Sequence, residues 1–399
     1  MEISDLFRIS SNLAGSISLD KKRYLYDRIS WTVPMLCVKG ARGIGKTTMF
    51  LQRMHSAFKD EEALYVALDN IWFSEHRLID LVDYHYNHGG THLFADEVHR
   101  YPFQNWIQEM KNINDSYPGY HVAFTGSSLL KIDMSKADLS RRCIFYDMQG
   151  MSFREYLSFK GVADLPAYSL DDILHHPIEI AQEVLKQVRP LQYFGDYLKH
   201  GYYPFYDKYA STYAEALQQI INTIIENDIP TSLNIEKLTV NKFKRLLFII
   251  SKMVPFTPNI SKLGTSLETN RIQTYNMLEV LSKAALINSL YSGKSNMQQL
   301  SKPEKIYLEN TNFLHALSSD VEIGNARETF FANQLKQGHT ITFSGQGDFL
   351  IDGQYTIEVG GKDKTFDQIK DLPNSFLAID DAEYGHQNKI PLWLFGFLY

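Results

Sequence analysis

At 399 residues the chain has room for two or three domains, and its 44% hydrophobic and 13% aromatic content is ample for substantial cores. A net charge of −6 excludes capture of a polyanion by the bulk charge of the whole chain. Two cysteines, Cys37 and Cys143, exclude a disulfide framework or a zinc cluster and fit a reducing compartment. The N-terminus lacks the basic-then-apolar pattern of a signal peptide, and no apolar run is long enough to span a bilayer, so a cytoplasmic protein without a membrane partner is expected.

Residues 19–31 carry Tyr24, Tyr26 and Ile29 at helical spacing, which predicts a short helix. Met35, Leu36, Cys37 and Val38 then read as a buried strand. It runs into Gly40-Ala41-Arg42-Gly43-Ile44-Gly45-Lys46-Thr47-Thr48, with a helix predicted from Met49. This is the G-x-x-x-x-G-K-T spacing of a phosphate-binding loop, in its strand–loop–helix setting. Gly40, Gly43 and Gly45 admit positive φ and bring the backbone close to phosphate oxygens. The loop amides and the helix N-terminus supply donors to an anion. Lys46 has the reach for β- and γ-phosphates, and the Thr47 hydroxyl suits Mg²⁺.

Residues 63–69 predict a second strand with Asp69 at its carboxyl end, where open α/β sheets bind ligands. Residues 91–96 predict a third, ending in Asp96-Glu97. There Asp96 would join the Mg²⁺ shell, and Glu97 would orient or deprotonate the attacking water. A fourth strand, residues 121–125, ends in Gly126-Ser127-Ser128. Ser127 has two readings, a γ-phosphate sensor or a turn that caps a helix. Arg141 and Arg142 precede the apolar residues 143–146. They read either as a finger toward a neighbouring subunit's nucleotide or as a surface pair.

Four motifs in this order carry a resemblance. They are the loop Gly40–Thr48, the run Phe94-Ala95-Asp96-Glu97-Val98-His99-Arg100-Tyr101-Pro102 with Trp106, then Phe124-Thr125-Gly126-Ser127-Ser128, then Met151-Ser152-Phe153-Arg154-Glu155-Tyr156-Leu157. Together they resemble prokaryotic AAA+ family ATPases of the archaeal-type group. The resemblance implies a parallel sheet flanked by helices and an ATP·Mg²⁺ site. Lys46, Thr47, Asp96 and Glu97 match the loop lysine, metal hydroxyl, metal carboxylate and catalytic carboxylate, and Ser127 falls at the sensor position.

Residues 166–230 predict helices, among them 178–185 and 214–227, joined through Gly201-Tyr202-Tyr203-Pro204. The resemblance makes residues 161–234 the candidate for a small helical lid. Tyr193, Phe194, Tyr197, Tyr202, Tyr203 and Phe205 read as core rather than as a base-stacking platform. Residues 236–309 hold eleven Lys or Arg against five Glu and no Asp, a net of +6 in a chain that is −6 overall. A short helix from Asn259, a turn at Gly264-Thr265-Ser266 and a helix over 271–283 precede strands at 286–291 and 305–308. Ile272, Tyr275, Leu278 and Leu281 share one face of the second helix; Arg271, Gln273, Thr274 and Asn276 share the other. That order looks like a winged helix. Binding of double-stranded DNA through the polar face and packing against protein are both open.

After Asp320 the pattern changes. A helix over 324–336 containing Glu328 precedes two strands around Asp352-Gly353, with Asp348 and Glu358 on them. This resembles the PD-(D/E)xK nuclease-like fold, in which two carboxylates hold Mg²⁺ and a lysine lies two residues past the second. Here that position is Gly360. Lys362 replaces it only if the strand continues, so a degenerate nuclease fold is expected. Residues 390–399 predict a buried last strand.

The whole reads as an α/β chain in four parts: a P-loop ATPase core (1–160), a helical lid (161–234), a winged helix (235–318) and a small nuclease-like domain (319–399). The expected activity is ATP hydrolysis with Mg²⁺, coupled to movement of the C-terminal half. A slow nucleotide-switched regulator of DNA or partner binding and an ATP-gated nuclease are the alternatives. Arginine fingers act between subunits in this superfamily, so a homo-oligomer is expected.

Overall fold

The computed structural model describes residues 1–59, 61–103, 105–126, 139, 141–233, 237–293 and 302–399. They form two compact units, one of residues 1–149 with 227–234 and one of residues 150–226 with 235–399. No helix among the described residues is long and apolar enough to cross a membrane.

The first unit begins with α1 (Ile3–Gly15) and contains strands β1 (Met35–Lys39), β2 (Ala63–Ala67), β3 (His92–Asp96), β4 (His121–Gly126) and β5 (Ile144–Asp147). All pair in parallel in the order β2-β3-β4-β1-β5. Helices α2 (Lys46–Ala57), α3 (Leu78–Asn87) and α4 (Trp106–Ser116) connect them. This is the parallel sheet of a P-loop NTPase. Alternation along the strands sorts its residues. Cys37, Leu93, Ala95, Val122 and Phe124 face a core completed by Leu78, Leu81, Val82, Trp106, Met110 and Ile113 of α3 and α4. On the other face Phe94 meets Phe50 of α2, with ring centroids 5.4 Å apart. The edge strand β2 is covered by α1, whose Ser10 hydroxyl accepts a hydrogen bond from the Tyr65 amide at 2.8 Å.

The helix expected over 19–31 does not form. That segment is a series of turns, with Tyr26 N bonded to Arg23 O and Arg28 N to Leu25 O. Its Tyr24, Leu25, Tyr26 and Ile29 are buried all the same, so the apolar spacing reports turn packing. The N-terminal helix is α1 instead, on which Leu6, Ser10 and Ala14 form the buried stripe.

The second unit carries α5 (Phe153–Phe159), α6 (Leu170–His175), α7 (Pro177–Leu185), α8 (Leu191–His200) and α9 (Tyr213–Thr223). Phe194, Tyr197, Tyr202 and Tyr203 are core, as expected of them. Asn312, on the later helix α10 (Thr311–Leu317), joins three segments. Its Oδ1 accepts from Tyr202 N and Tyr213 OH, and its Nδ2 donates to Tyr197 O and Leu198 O, which satisfies a buried amide.

The basic stretch folds as Lys237–Ser251, Ile260–Leu267 and Arg271–Lys283, followed by an antiparallel pair, β6 (Ile287–Leu290) and β7 (Lys305–Leu308). Two expectations are corrected here. Gly264-Thr265-Ser266 continues the helix Ile260–Leu267, because a Cβ at Gly264 would lie 2.8 Å from Thr269 O; the glycine serves close packing, not a turn. On Arg271–Lys283 the buried stripe is Thr274, Met277, Leu278 and Leu281, while Ile272 is 69% exposed. Thr274 tolerates burial because its hydroxyl bonds Asn270 O and Thr269 Oγ1.

A second five-stranded sheet has the order β12-β11-β10-β9-β8, from β8 (Ile341–Phe343), β9 (Phe349–Ile351), β10 (Tyr355–Gly360), β11 (Ser375–Ile379) and β12 (Lys389–Pro391). It is mixed: β8, β9 and β10 are antiparallel, and β10, β11 and β12 parallel. The β9–β10 hairpin turns at Asp352 and Gly353, both at positive φ (53° and 68°). Helix α11 (Ile323–Leu335) packs Phe331 on Phe349. The expected last strand is cut short. Residues Leu392–Phe397 are a buried 3₁₀ helix, because Pro391 ends the ladder and removes a donor.

Phe124 is fully buried between strand and α4, so Phe124→Ala is expected to cost about 3–5 kcal/mol, read from the urea midpoint of the first transition.

Candidate nucleotide site

Parallel pairing aligns Lys39 with Gly126 and with Asp147, and Ala67 with Asp96. The loop after β1 therefore opens beside β4, one strand from β3. Gly43 and Gly45 take φ of 85° and 100°, which L side chains rarely adopt, and Gly45 caps α2. Lys46 opens that helix and folds back, its Nζ donating to Gly40 O (2.9 Å) and Ala41 O (2.7 Å). Ile44 is buried beneath the loop, Arg42 is half-buried, and Thr47 and Thr48 in the first helical turn are exposed. Burial draws the Lys46 ammonium down to about 8, against the opposing pull of Asp96 and Glu97.

Asp96 shares the face of β3 that carries Phe94, so alternation directs it at α2. It is 4% exposed and fully engaged. Thr47 Oγ1 donates to Oδ2 at 2.5 Å, Tyr65 OH donates to the same oxygen at 2.9 Å, and Thr125 Oγ1 donates to Oδ1. Burial and the Asp96 charge raise the Tyr65 phenol well above its ordinary value, so it stays a donor. Glu97 follows in the left-handed region, at φ 57° and ψ 47°, a strained position for a non-glycine residue. Its amide donates to Thr125 Oγ1 at 3.3 Å. Its Oε2 lies 3.0 Å from Arg100 Nε and 3.5 Å from Arg42 Nη1.

Lys46, Thr47, Asp96 and Glu97 are thus brought together with the loop glycines. Asp69 sits at the rim, 3.3 Å from Arg100. Arg141 and Arg142 lie before β5, at the end of the parallel sheet opposite the loop. Arg141 is exposed, and Arg142 is paired through two nitrogens with Asp115. Ser127 lies outside the described residues. Tyr65, Arg100, Thr125 and Asp228 escaped the sequence reading. Alternation would have put Tyr65 and Thr125 on the Asp96 face. No local pattern marks Asp228, 131 residues beyond Glu97 in the sequence.

Thr47 and Asp96 offer two adjacent hard oxygen donors, one of them anionic. A Mg²⁺ site that takes its remaining ligands from water and phosphate needs that kind of donor set.

The acidic residues of the C-terminal sheet form a second cluster. Lys305 Nζ from β7 lies 2.9 Å from Asp348 and 3.3 Å from Glu328, and Tyr307 OH donates to Glu328 at 2.6 Å. Glu358 pairs with Lys364 Nζ at 2.5 Å. Burial and the Asp348 charge raise Glu328, and burial raises Glu358. The lysine expectation is corrected in position. The strand ends at Gly360, Lys362 is exposed in the following turn, and Lys364 returns over Glu358. Gly360 is needed for this, since a Cβ there would lie 2.6 Å from Lys364 Cγ. Among the described residues no three His, Cys, Asp or Glu side chains are grouped to hold a metal ion. Each of the three carboxylates has a lysine ammonium beside it, Lys305 serving both Glu328 and Asp348.

Residues 32–157 match the AAA domain family, and residues 191–323 match a domain of unknown function. An uncharacterized protein of Methanocaldococcus jannaschii is 25% identical over 392 residues, covering 88% of this chain and 82% of its own. Among solved structures, a Walker-type ATPase of Pyrococcus abyssi matches with TM-score 0.42 at 10% identity, over 76% of this chain and 99% of that one. DnaA of Aquifex aeolicus bound to AMPPCP matches with TM-score 0.27 at 12% identity, over 70% and 88%. The AAA match lies mostly within the first unit and supports an ATP-binding site there.

A phosphate complex holds Lys46 as the ammonium, whereas the free site releases that proton near pH 8. ATP affinity is therefore expected to be flat below about pH 8 and to fall by up to about tenfold per unit above it, measured by titration calorimetry.

Proposed function

We propose that the chain is a Mg²⁺-dependent ATPase whose nucleotide site is built from the loop Gly40–Thr48, Asp96 and Glu97. The observation that carries this reading is the 2.5 Å contact between Thr47 and Asp96. It joins the hydroxyl at the start of α2 to the carboxylate at the end of β3, the two protein oxygens this chemistry needs. The loop amides and Lys46 bind and orient the phosphates, and exchange of the Gly40 and Ala41 carbonyls for phosphate oxygens keeps the ammonium paired. Mg²⁺ held by Thr47 and Asp96 would neutralise charge on the phosphates. Tyr65 and Thr125 keep Asp96 aimed. Glu97, freed from Arg42 and Arg100, accepts a proton from the attacking water. Arg141 is the candidate finger into a neighbouring copy, and its loss would lower turnover only at concentrations where copies associate.

Glu97→Gln is expected to retain ATP and lower steady-state turnover by about 10²–10⁴-fold, while Lys46→Ala loses nucleotide binding. Normal hydrolysis by Lys46→Ala would remove the assignment.

The proposed output is movement of the C-terminal half. Its basic stretch supports a second reading, a nucleotide-switched DNA binder of winged-helix type. Arg271, Gln273 and Asn276 are all exposed on Arg271–Lys283, a polar surface of the kind that enters a major groove. Salt-sensitive retention on double-stranded DNA that depends on ATP and is lost in Arg271→Ala would favour it. Turnover indifferent to DNA would leave the ATPase uncoupled from this surface.

For the PD-(D/E)xK-like sheet the proposal is an inactive fold. Lys305 places an ammonium between Glu328 and Asp348, where a cutting site would hold its cation. Supercoiled plasmid with Mg²⁺ or Mn²⁺ is expected to remain uncut by the wild type. Nicking that disappears in Asp348→Ala would restore the nuclease reading.

A further inference from the structure

Asp228 ends a π-helical turn, Ile224–Asp228, and is 3% exposed. Three basic side chains surround its carboxylate. Arg100 Nη2 is 3.0 Å and His99 Nε2 3.7 Å from Oδ1, and Arg42 Nη1 is 3.5 Å from Oδ2. Burial opposes its ionisation, yet the bonds to His99 and Arg100 hold the carboxyl below the ordinary range. Arg42 and Arg100 are also the two guanidinium groups on Glu97. The proposed catalytic carboxylate and Asp228 therefore draw on the same two cations.

Arg42 belongs to the phosphate loop, and Arg42, Asp96, Glu97 and Asp228 all act on the Lys46 ammonium. Lys46, Arg42 and Arg100 stand against Asp69, Asp96, Glu97 and Asp228, three cations to four carboxylates. Such a site is short of positive charge for a triphosphate. Removing one carboxylate from Arg42 and Arg100 lessens that shortfall, and of the four only Asp228 has no place in the metal shell, the proton transfer or the exposed rim.

We infer that Asp228 is a positioning residue that competes with the terminal phosphate of ATP for Arg42 and Arg100. The inference rests on the ATP-site reading above and adds its regulation. A terminal phosphate that takes the two arginines releases Glu97 for its water and loosens the hold on Asp228 in one step. A diphosphate lacks the group that does this. The segment affected is 227–234, which belongs to the first unit while both flanking stretches belong to the second.

The test is nucleotide affinity by calorimetry, with Mg²⁺, for wild type, Asp228→Asn and Lys46→Ala, using AMPPNP and ADP. Asp228→Asn keeps the shape and removes the charge. It is expected to bind AMPPNP about tenfold more tightly than wild type, with ADP affinity changed less than about twofold. Hydrogen exchange on the wild type needs no variant: amides of residues 224–231 are expected to exchange faster with AMPPNP than with ADP. An unchanged AMPPNP-to-ADP ratio in Asp228→Asn, or equal exchange with the two nucleotides, overturns the inference and leaves the ATP site standing. If wild type binds neither nucleotide, or Lys46→Ala binds both, the ATP-site reading falls and takes this inference with it.

Discussion

One carboxylate organises the first unit. Asp96 accepts hydrogen bonds from Thr47 at the head of α2, Tyr65 on β2 and Thr125 on β4, so three elements are tied to the end of β3. A buried charge is tolerated only when its lone pairs are satisfied. Removing any one donor leaves the others to carry a carboxylate that is only 4% exposed. The same bonds fix where the oxygen atoms point. Glu97, the next residue, inherits its place from this anchor, and its left-handed backbone is held at a cost of about 1 kcal/mol by the amide bond to Thr125 and two arginines. Strain at that one residue turns its side chain from the sheet toward the loop's arginine. Thr125 is shared by the backbone of Glu97 and the side chain of Asp96, so the two acids are tied to one hydroxyl.

What was legible in the sequence was local. The strand–loop–helix at 35–57 is legible because glycines at fixed offsets permit backbone that no other residue adopts, and because Lys46 and Thr47 follow without a gap. Asp96-Glu97 is legible because the apolar strand that ends in two acids lies 50 residues beyond Lys46 of that loop; by itself such a strand end is common. The partners of those acids are not legible, since they come from other strands and their adjacency depends on sheet order. Tyr65 is an ordinary strand tyrosine until β2 pairs with β3. Residues 19–31 misled for a related reason: turns that bury every third or fourth side chain produce the same apolar spacing as a helix. Ile272 misled because helix periodicity identifies a stripe but not which neighbouring stripe meets the core, and the hydroxyl of Thr274 was satisfied where a methyl was expected.

The C-terminal sheet shows how a motif read by spacing is rearranged in space. Counting two residues from Glu358 reaches Gly360 and reads as a loss. In the fold Gly360 ends the strand and leaves room for Lys364 to return over Glu358, so a lysine stands on that carboxylate from a different position in the chain. Lys305, from a strand outside the sheet, occupies the space between the other two acids. Two ammonium groups thus stand among three carboxylates, Lys305 shared by Glu328 and Asp348 and Lys364 on Glu358.

Chain topology sets the limit on how independent the two units are. The first unit is discontinuous: it leaves at 149 and is rejoined by 227–234 before the chain departs again. A short returning segment has few contacts of its own to hold it, so its attachment depends on whichever of its residues are well paired. Asp228 is paired to Arg42 and Arg100 and lies 3.7 Å from His99, and the two arginines also hold the candidate base. The strength of the attachment and the readiness of the site are therefore not separate quantities. Any change at Arg42 or Arg100 acts on both carboxylates at once.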